Sequence, residues 1–507
     1  MGMLQNRHVL VLGLGLSGLA MARWCAAQGA QVSVADTREA PPQLAALRAD
    51  VPTARFIAGP LDAALLDDAS LRAVYRSPGL APAAIAGVLD AARARGLPVR
   101  GELDLFSQAL AELAEQRGYR PALLAITGTN GKTTVTALTG QLVERAGRRA
   151  VVAGNIGPTL LDTLQARLQE GDLPEVWVLE LSSFQLDASE DFEPTAATVL
   201  NLTQDHLDWH GDMAAYAAAK ARVFGHSGVM VLNRNDALVM AMQPAAPAKS
   251  AKGPRPTPRT VLTFGADMPA APGDFGLEVV AGMTWLVRAQ EADETQRRRK
   301  HADEELHIQR LMPADALRIR GRHNAVNALA ALALASSAGC ALGPLLYGLR
   351  EYRGEPHRVE SIGLLEGVEY FDDSKGTNVG ATVAALEGLG AERRLVVILG
   401  GDGKGQDFSP LRAPVARFAR ACVLIGRDAP QLRAALNELG VALLDARDMA
   451  DAVGQARARA HPGDAVLLSP ACASLDMYRH YAERADAFRA AVREQALAAG
   501  TEMELPA

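Results

Sequence analysis

At 507 residues, with 49% hydrophobic and 22% charged residues, the chain has ordinary globular composition and the length of about three domains, each large enough for its own core. A formal net charge of −6 argues against nucleic acid as the main partner, because such a partner calls for a basic surface. The four cysteines (Cys25, Cys340, Cys422 and Cys472) are far apart and show no ligand spacing, so inert buried thiols in a reducing cytoplasm are expected.

Residues 7–36 read as strand (HVLVLG), glycine turn, helix (LAMARWCAAQGA) and strand (QVSVAD). The opening apolar run mimics a signal peptide, but Gly13, Gly15 and Gly18 punctuate it at G-x-G-x-x-G spacing, with Asp36 closing the second strand. Taken alone this fingerprint says NAD; more securely, it places a diphosphate or ribose at the first helix N-terminus, or else marks glycines needed only for close packing. Thr37 and Arg38 follow the acid, so a cation lies where a phosphate or a uracil carbonyl could be held. Alternation of strands and helices continues to about residue 104, with a turn at Ser77-Pro78-Gly79. The polar stretch Glu115 to Arg120 before Pro121 marks the first boundary, giving a domain over 1–118.

The stretch ALLAITGTNGKTTVTALTGQLV (122–143) organises the chain. An apolar strand breaks at Gly128 and Gly131 and a helix opens at Lys132-Thr133-Thr134, leaving backbone N–H groups at a helix start where the dipole favours anions. Lys132 adds a cation and Thr133 a hydroxyl suited to a phosphate-bound Mg2+. This is a nucleoside triphosphate site in a shortened form, TGTNGKTT, because Ile126 stands where the full P-loop pattern has glycine. WVLELSSFQL (177–186) reads as a second buried strand presenting Glu180, a carboxylate that is costly in an apolar run unless it is paired or meets a cation. A third strand in ATVLNLTQDHLDWHGDMAAYAAAK (197–220) ends at Asp205, His206, Asp208 and His210, where parallel sheets place ligands; His206 is read as a ligand. Lys220, on a helix of alanines, reads as a solvated lysine.

Residues 242–260 and 289–305 are Pro/Ala/Lys-rich and densely charged, and read as exposed insertions flanking short strands at TVLTFG and MTWLVR. A helix with His323, Asn324 and Asn327 in its first turns runs into an alanine-rich stretch (327–349). That stretch is too weakly hydrophobic and too interrupted for a bilayer, so a buried helix or helical pair and no membrane insertion are expected. REYRGEPHRVE marks the second boundary, giving domains over 119–353 and 354–507. The last unit is again α/β, and its strand ends carry Asp373, Ser374, Lys375 and Thr377, then Asp402 and Lys404, then Ser469 and Ser474; three such loops in one unit point to a pocket.

TGTNGKTT, GNIG (154–157), LELSSFQL, DHLDWHGDMAAYAAAK, RHNAVNALAA, PHR (356–358), DDSKGTNVGAT, LGGDGKGQDFSPL and LSPACASLD occur in the order found in Mur ligases of peptidoglycan synthesis, and the chain resembles that family nearly end to end. DSKGTN and SPACASLD single out the D-glutamate-adding branch; only about 240–310 lies outside the likeness. The resemblance implies an α/β fold of three domains: a Rossmann-like one for the UDP of the acceptor, a central P-loop ATPase, and a Rossmann-like one that brings the amino acid. It turns the first fingerprint from an NAD site into a UDP site, with Leu16, Ser17, Thr37, Arg38, Gly79, Asn155 and His206 as acceptor contacts. ATP is expected on Gly128, Thr129, Asn130, Gly131, Lys132, Thr133 and Thr134, with Asn327, Arg358 and Asp373. D-Glutamate is expected on Lys375, Thr377, Lys404, Ser474, Leu475 and Tyr481. Lys132, Glu180, His206, Lys220 and Lys404 carry the catalytic expectation, and Thr133, Glu180, His206 and Lys220 the metal positions for two Mg2+ ions. Lys220 matches a family lysine that is carbamylated, which reverses its bare reading. The implied partners are UDP-N-acetylmuramoyl-L-alanine, D-glutamate and ATP, in a cytoplasmic monomer whose C-terminal domain closes about Gly354 on binding. The alternatives are another amino-acid-adding member, an NAD-dependent dehydrogenase that leaves the triphosphate turn idle, and an ATPase that consumes no carboxylate; folylpolyglutamate synthetase shares the central motifs but gives no reason for the first fingerprint.

Overall fold

The computed structural model describes residues 4–244, 259–291, 306–501, 503 and 504. Most of the two insertions expected at 242–260 and 289–305 lies outside these residues. The described residues form two compact units, one from within 1–202, 206–264 and 330–345, the other from within 203–205, 265–329 and 346–507.

The first unit contains two parallel sheets. Strands β1 (His8–Leu12), β2 (Gln31–Asp36), β3 (Arg55–Ala58), β4 (Leu71–Arg76) and β5 (Val99–Arg100) lie in the order β3-β2-β1-β4-β5, so the chain reverses direction across the sheet between β1 and β4. Parallel strands buried on both faces read as continuous apolar runs, and His8–Leu12 is buried throughout. The second sheet, from β6 (Ala122–Thr127), β7 (Ala150–Gly154), β8 (Val176–Glu180), β9 (Ala196–Val199), β10 (Val229–Asn233) and β11 (Val261–Phe264), runs β11-β10-β9-β6-β8-β7. The glycine turn after β6 therefore leaves the middle of the sheet.

Helix Glu102–Arg117 joins the two sheets. It ends at Gly118 in the left-handed conformation, so the polar stretch expected as a boundary is the last turn and cap of a helix. Its Asp104 accepts from Ser189 Oγ (2.8 Å) and from the N–H groups of Glu190 and Asp191, beyond β8. Arg76 is ion-paired to Asp187 at 2.6 Å, and Arg23 to Asp162 at 3.2 Å. One continuous apolar core, including Trp24, Phe106, Trp177 and Tyr216, runs under both sheets.

The second unit holds an antiparallel sheet, β12 (Phe275–Val280), β13 (Met283–Glu291) and β14 (Leu306–Pro313). It also holds a six-stranded sheet of β15 (Glu360–Leu365), β16 (Val368–Asp372), β17 (Leu395–Gly400), β18 (Ala419–Ile425), β19 (Ala442–Asp445) and β20 (Ala465–Leu468), in the order β15-β16-β20-β17-β18-β19. Along β17 the two-residue side-chain period sends Leu395, Val397 and Leu399 into one core and Val396 and Ile398 into the other. The alanine-rich stretch forms the expected pair, helices Arg322–Ser337 and Leu342–Glu351. No helix among the described residues is long and apolar enough to cross a membrane.

One expected strand is shorter than its apolar pattern. β8 stops at Glu180, and Ser183–Asp187 is helical, capped by Ser182 and Gln185 in a reciprocal box in which the Gln185 N–H donates to Ser182 Oγ and the Ser182 N–H to Gln185 Oε1. The turn aims Ser183 and Phe184 back toward the histidine segment after β9.

Candidate active site

The triphosphate turn is held by its backbone. Gly128 (φ +151°) and Gly131 (φ +83°) occupy conformations that L side chains rarely adopt, and a Cβ on Gly128 would meet Leu200 at 3.0 Å. Asn201, which the sequence reading missed, braces the loop: its carbonyl accepts from the Thr129 N–H, its Oδ1 from the Asn130 N–H at 2.8 Å, and its Nδ2 donates to the Asn130 carbonyl at 3.0 Å. Helix Lys132–Arg145 then opens with Thr133 and Thr134 buried. Lys132 Nζ donates to the carbonyls of Gly128 and Thr129, each at 2.8 Å. Thr129 Oγ1 lies 3.1 Å from the Tyr216 hydroxyl.

Lys220 corrects its bare sequence reading. It is 2% exposed, on the inner face of helix Met213–Ala221, and donates to Gly128 O at 2.9 Å and Thr127 Oγ1 at 3.2 Å, with its Nζ 4.8 Å from the Tyr216 ring centre. Tertiary packing, not its alanine neighbours, decides its environment. Two lysines thus reach the carbonyl of Gly128.

Glu180 ends β8 in register with Ile126 of β6 and Gly154 of β7. It is 1% exposed; Oε1 accepts from Asn155 Nδ2 at 2.9 Å, whereas Oε2 has no hydrogen-bond partner. A buried carboxylate oxygen without a donor is costly, and beside a phosphate turn it fits a hard cation. Gly154 must lack a side chain here, because a Cβ would meet Glu180 O at 2.3 Å. His206 takes the left-handed conformation (φ +54°) and packs edge-on against Phe184, ring centres 4.8 Å apart; His210 Nε2 lies 2.9 Å from Ser183 Oγ, and burial lowers its pKa. Lys132, Thr133, Glu180, Asn155, His206 and Lys220 therefore belong to loops and helix ends of one sheet.

At the first fingerprint, Gly18 cannot carry a Cβ, which would lie 2.0 Å from Gly13 O, whereas a Cβ on Gly15 meets nothing within 4 Å. Gly18 serves close packing, and Gly15 leaves a cradle open to a ligand. Leu16 is 66% exposed at the helix start, beside Ser17. Asp36 accepts from the Leu14 N–H at 2.7 Å and from Arg38 Nε and Nη2, each at 2.8 Å, which holds its pKa down at about 2. An acid so engaged braces the glycine loop and orients Arg38. Thr37, Arg38 and Gly79 follow β2 and β4 on either side of β1.

In the second unit, the loops after β16, β20 and β17 leave neighbouring strands. Asp402 and Ala473 exchange backbone hydrogen bonds, fastening the Lys404 loop to the Ser474 loop. Lys404 has φ +51° and its N–H donates to Asp402 Oδ1, which also pairs with Arg427. Lys375 Nζ lies 5.5 Å from the Tyr481 ring centre, the Thr377 N–H donates to the Lys375 carbonyl, and Leu475 is 68% exposed beside buried Ser474. Arg484, also missed, is 1% exposed: it donates to Ser374 Oγ (3.1 Å), Ser374 O (2.8 Å) and Cys472 O (3.1 Å), tying two of these loops to helix Tyr481–Ala499. An arginine on the apolar face of that helix was its sequence signal.

Asp373 is buried, accepts from Ser469 Oγ at 2.6 Å and from the Val359 N–H at 3.3 Å, and is pushed up to about 7 by burial, against the pull of Arg358. Asn327 donates to Asn324 Oδ1 at 3.1 Å in the first turns of its helix. Asn327, Arg358 and Asp373 lie in the second unit and the triphosphate turn in the first. All four cysteines are buried and unpaired.

Three family models match the chain: the Mur ligase MurD-like N-terminal domain over 7–101, the Mur ligase middle domain over 126–335 and the Mur ligase glutamate ligase domain over 357–472. A UDP-N-acetylmuramoylalanine–D-glutamate ligase of Albidiferax ferrireducens is 67% identical over 504 residues, covering 99% of each chain. The chain belongs to the Mur ligase family. A Burkholderia mallei protein of the same name is 59% identical over 98% of this chain and 99% of its own. Among solved Mur ligases, the Thermotoga maritima UDP-N-acetylmuramate-alanine ligase superposes with a TM-score of 0.54 at 18% identity, covering 97% of this chain and all of that one. MurF of Acinetobacter baumannii gives 0.53 at 18%, over 92% and 88%. At such identities these neighbours establish the Mur ligase fold, while the full-length relatives place the chain within the family.

Proposed function

We propose that this Mur ligase joins D-glutamate to UDP-N-acetylmuramoyl-L-alanine at the expense of ATP, through an acyl phosphate. The observation that carries the reading is the 67% identity, over 99% of both chains, with a protein named for that activity. The triphosphate cradle with the orphaned Glu180 oxygen beside it supports the same chemistry. On this reading 1–118 binds the acceptor, 119–353 binds ATP and 354–507 brings the amino acid, in a cytoplasmic monomer.

Amide formation in water is uphill, so the acceptor's alanyl carboxylate is first activated. It attacks the γ-phosphorus of ATP; the bond to the β-γ bridging oxygen breaks, ADP leaves and an acyl phosphate forms. Charge spreads over the transferring group, and Lys132 with the N–H groups after Gly131 is placed to stabilise it. Thr133, Glu180, His206 and a carbamylated Lys220 would hold two Mg2+ ions, which when bound add positive charge against the phosphates. Burying the Lys220 amine as a cation is costly, and CO2 addition converts it into an anionic oxygen donor. Leu16, Ser17, Thr37, Arg38, Gly79 and Asn155 hold the UDP-acceptor. Asn327, Arg358 and Asp373 meet the nucleotide.

The amine of D-glutamate then attacks the acyl carbon and inorganic phosphate leaves from the tetrahedral adduct, with Lys404 stabilising its charge. Lys375, Thr377, Ser474, Leu475 and Tyr481 hold the amino acid; hydroxyls and lysines in a closed site discriminate by the hydrogen bonds a shorter dicarboxylate would leave unfilled.

The deciding experiment is phosphate release with the UDP-acceptor and a panel of D- and L-amino acids. Release that requires the acceptor and is fastest with D-glutamate is expected. Equal release with either reactant omitted would overturn the reading, and preference for another amino acid would move the chain to a different branch.

A further inference from the structure

Three helices begin at one buried carboxyl group that the reaction does not use. Glu102 is the first residue of helix Glu102–Arg117. Its Oε1 accepts from the Leu161 N–H at 3.1 Å, in the first turn of helix Leu160–Glu170. The Leu160 N–H, and the Ser17 hydroxyl in the first turn of helix Leu16–Ala27, also lie close enough to favour its charged form. Glu102 is 3% exposed, and its Oε2 has no hydrogen-bond partner. The positive ends of three helix dipoles thus meet a carboxyl whose second oxygen is unsatisfied.

The opposing forces can be named. Burial, with a smaller push from Asp162 on helix Leu160–Glu170, raises the Glu102 pKa to about 7 against the pull of Leu161, Ser17 and Leu160. Asp162 is itself paired with Arg23 of helix Leu16–Ala27 at 3.2 Å. On its own helix, Asp104 is engaged by Ser189, Glu190 and Asp191.

We propose that Glu102 is a positioning residue for the acceptor, and that binding of the acceptor's diphosphate makes it take up a proton. The inference rests on the proposed docking of that diphosphate at the start of helix Leu16–Ala27, next to Ser17. An ionised Glu102 beneath that helix start repels a diphosphate; a protonated one does not, and offers an O–H donor from Oε2. Because binding and protonation are linked, the acceptor binds more weakly as pH rises through the titration of Glu102. The diphosphate diester titrates far below neutrality, so the proton goes to the protein. The same carboxyl holds the start of helix Leu160–Glu170, and the loop before that helix carries Asn155. Its state therefore bears on two of the acceptor contacts.

The test is calorimetric titration of the full-length protein with UDP-N-acetylmuramoyl-L-alanine, without ATP, in buffers of differing ionisation enthalpy. Wild-type protein is expected to take up a fraction of a proton near neutral pH and to lose about fivefold in affinity from about pH 6 to about pH 8.5. Glu102→Gln keeps an acceptor for the Leu161 N–H and cannot ionise; its proton uptake and pH dependence should largely vanish, with wild-type affinity or better at the alkaline end. Asp162→Asn should keep the uptake and move its midpoint to lower pH. Uptake undiminished in Glu102→Gln, or no uptake in wild type, would overturn the inference; should Glu102→Gln not fold, an unmoved midpoint in Asp162→Asn would do so. Wild-type protein that binds no acceptor at all would instead refute the functional reading.

Discussion

Asn155 and Glu180 hold each other twice: the amide Nδ2 of Asn155 donates to Glu180 Oε1 at 2.9 Å, and the Asn155 backbone N–H to the Glu180 carbonyl at 2.8 Å. One carboxylate oxygen is thereby fixed while the other has no hydrogen-bond partner, as the proposed Mg2+ site requires. Asn155→Ala should release the Glu180 side chain and raise the Mg2+ concentration needed for half-maximal phosphate release about tenfold, as loss of a ligand's orienting partner does elsewhere. A magnesium titration at saturating ATP checks this; an unchanged midpoint would mean that Asn155 does not orient the carboxylate.

Lys132 Nζ already lies on the carbonyls that shape the triphosphate turn. Lys132→Ala should lower turnover by about a thousandfold, the scale on which cationic groups act in phosphoryl transfer. UDP-acceptor affinity, measured by calorimetry, should stay within about twofold because Lys132 is not among the proposed acceptor contacts, and Leu16, Ser17, Thr37, Arg38 and Gly79 belong to the other sheet. Parallel loss of both would contradict the assignment of separate sites.

Carbamylation of Lys220 predicts a dependence on dissolved CO2. Protein stripped of CO2 at low pH and assayed in degassed buffer should lose activity and recover it with bicarbonate. Carbon-13 spectra of protein given labelled bicarbonate should show a carbamate signal that Lys220→Arg lacks. Activity indifferent to CO2 with no such signal would leave Lys220 as a lysine.

Asp373 links stability to pH. Burial raises its pKa from 3.8 to about 7, so between those values the folded protein binds the proton that the unfolded chain has lost. Stability from this group is therefore retained in acid and declines as pH rises from about 4 to about 7, by a few kcal/mol at most. Asp373→Asn should flatten that decline in thermal melts of the ligand-free protein, with Glu102 contributing the same sign in the part that persists. A slope identical to wild type would refute the assignment.

Arg484→Met should leave the carbonyls of Ser374 and Cys472 without their donor and cost about 3 kcal/mol, as breaking a buried polar network does. It should also raise the KM for D-glutamate more than that for ATP, because the loops it ties carry Lys375 and Ser474. Denaturant unfolding and amino-acid titrations measure the two effects separately.

The parts written locally were legible. An apolar run, glycines at fixed spacing and a following helix declare the triphosphate turn without any tertiary information, and the same logic found the three polar strand ends of the last sheet. Glu180 stood out because a carboxylate interrupts an apolar strand. Lys220 did not, since nothing along an alanine helix says which face is buried. Helix Ser183–Asp187 was hidden by an apolar pattern continuous with β8, although Ser182 and Gln185 at capping-box spacing were a readable stop. Asn201, Arg484 and the helix starts around Glu102 depend on contacts between distant segments, and no single stretch announces them.

Helix Glu102–Arg117 follows one sheet's last strand and packs on helix Leu160–Glu170 and Trp177 of the other. The N-terminal sheet is for that reason not a detachable cartridge: a cut near residue 118 would strip the second sheet of a cap and bare Trp177 where Phe106 packs on it. Recombination that trades acceptor preference among these enzymes would have to carry the helix and its receiving groove together, and deletion libraries should find no viable breakpoint between them.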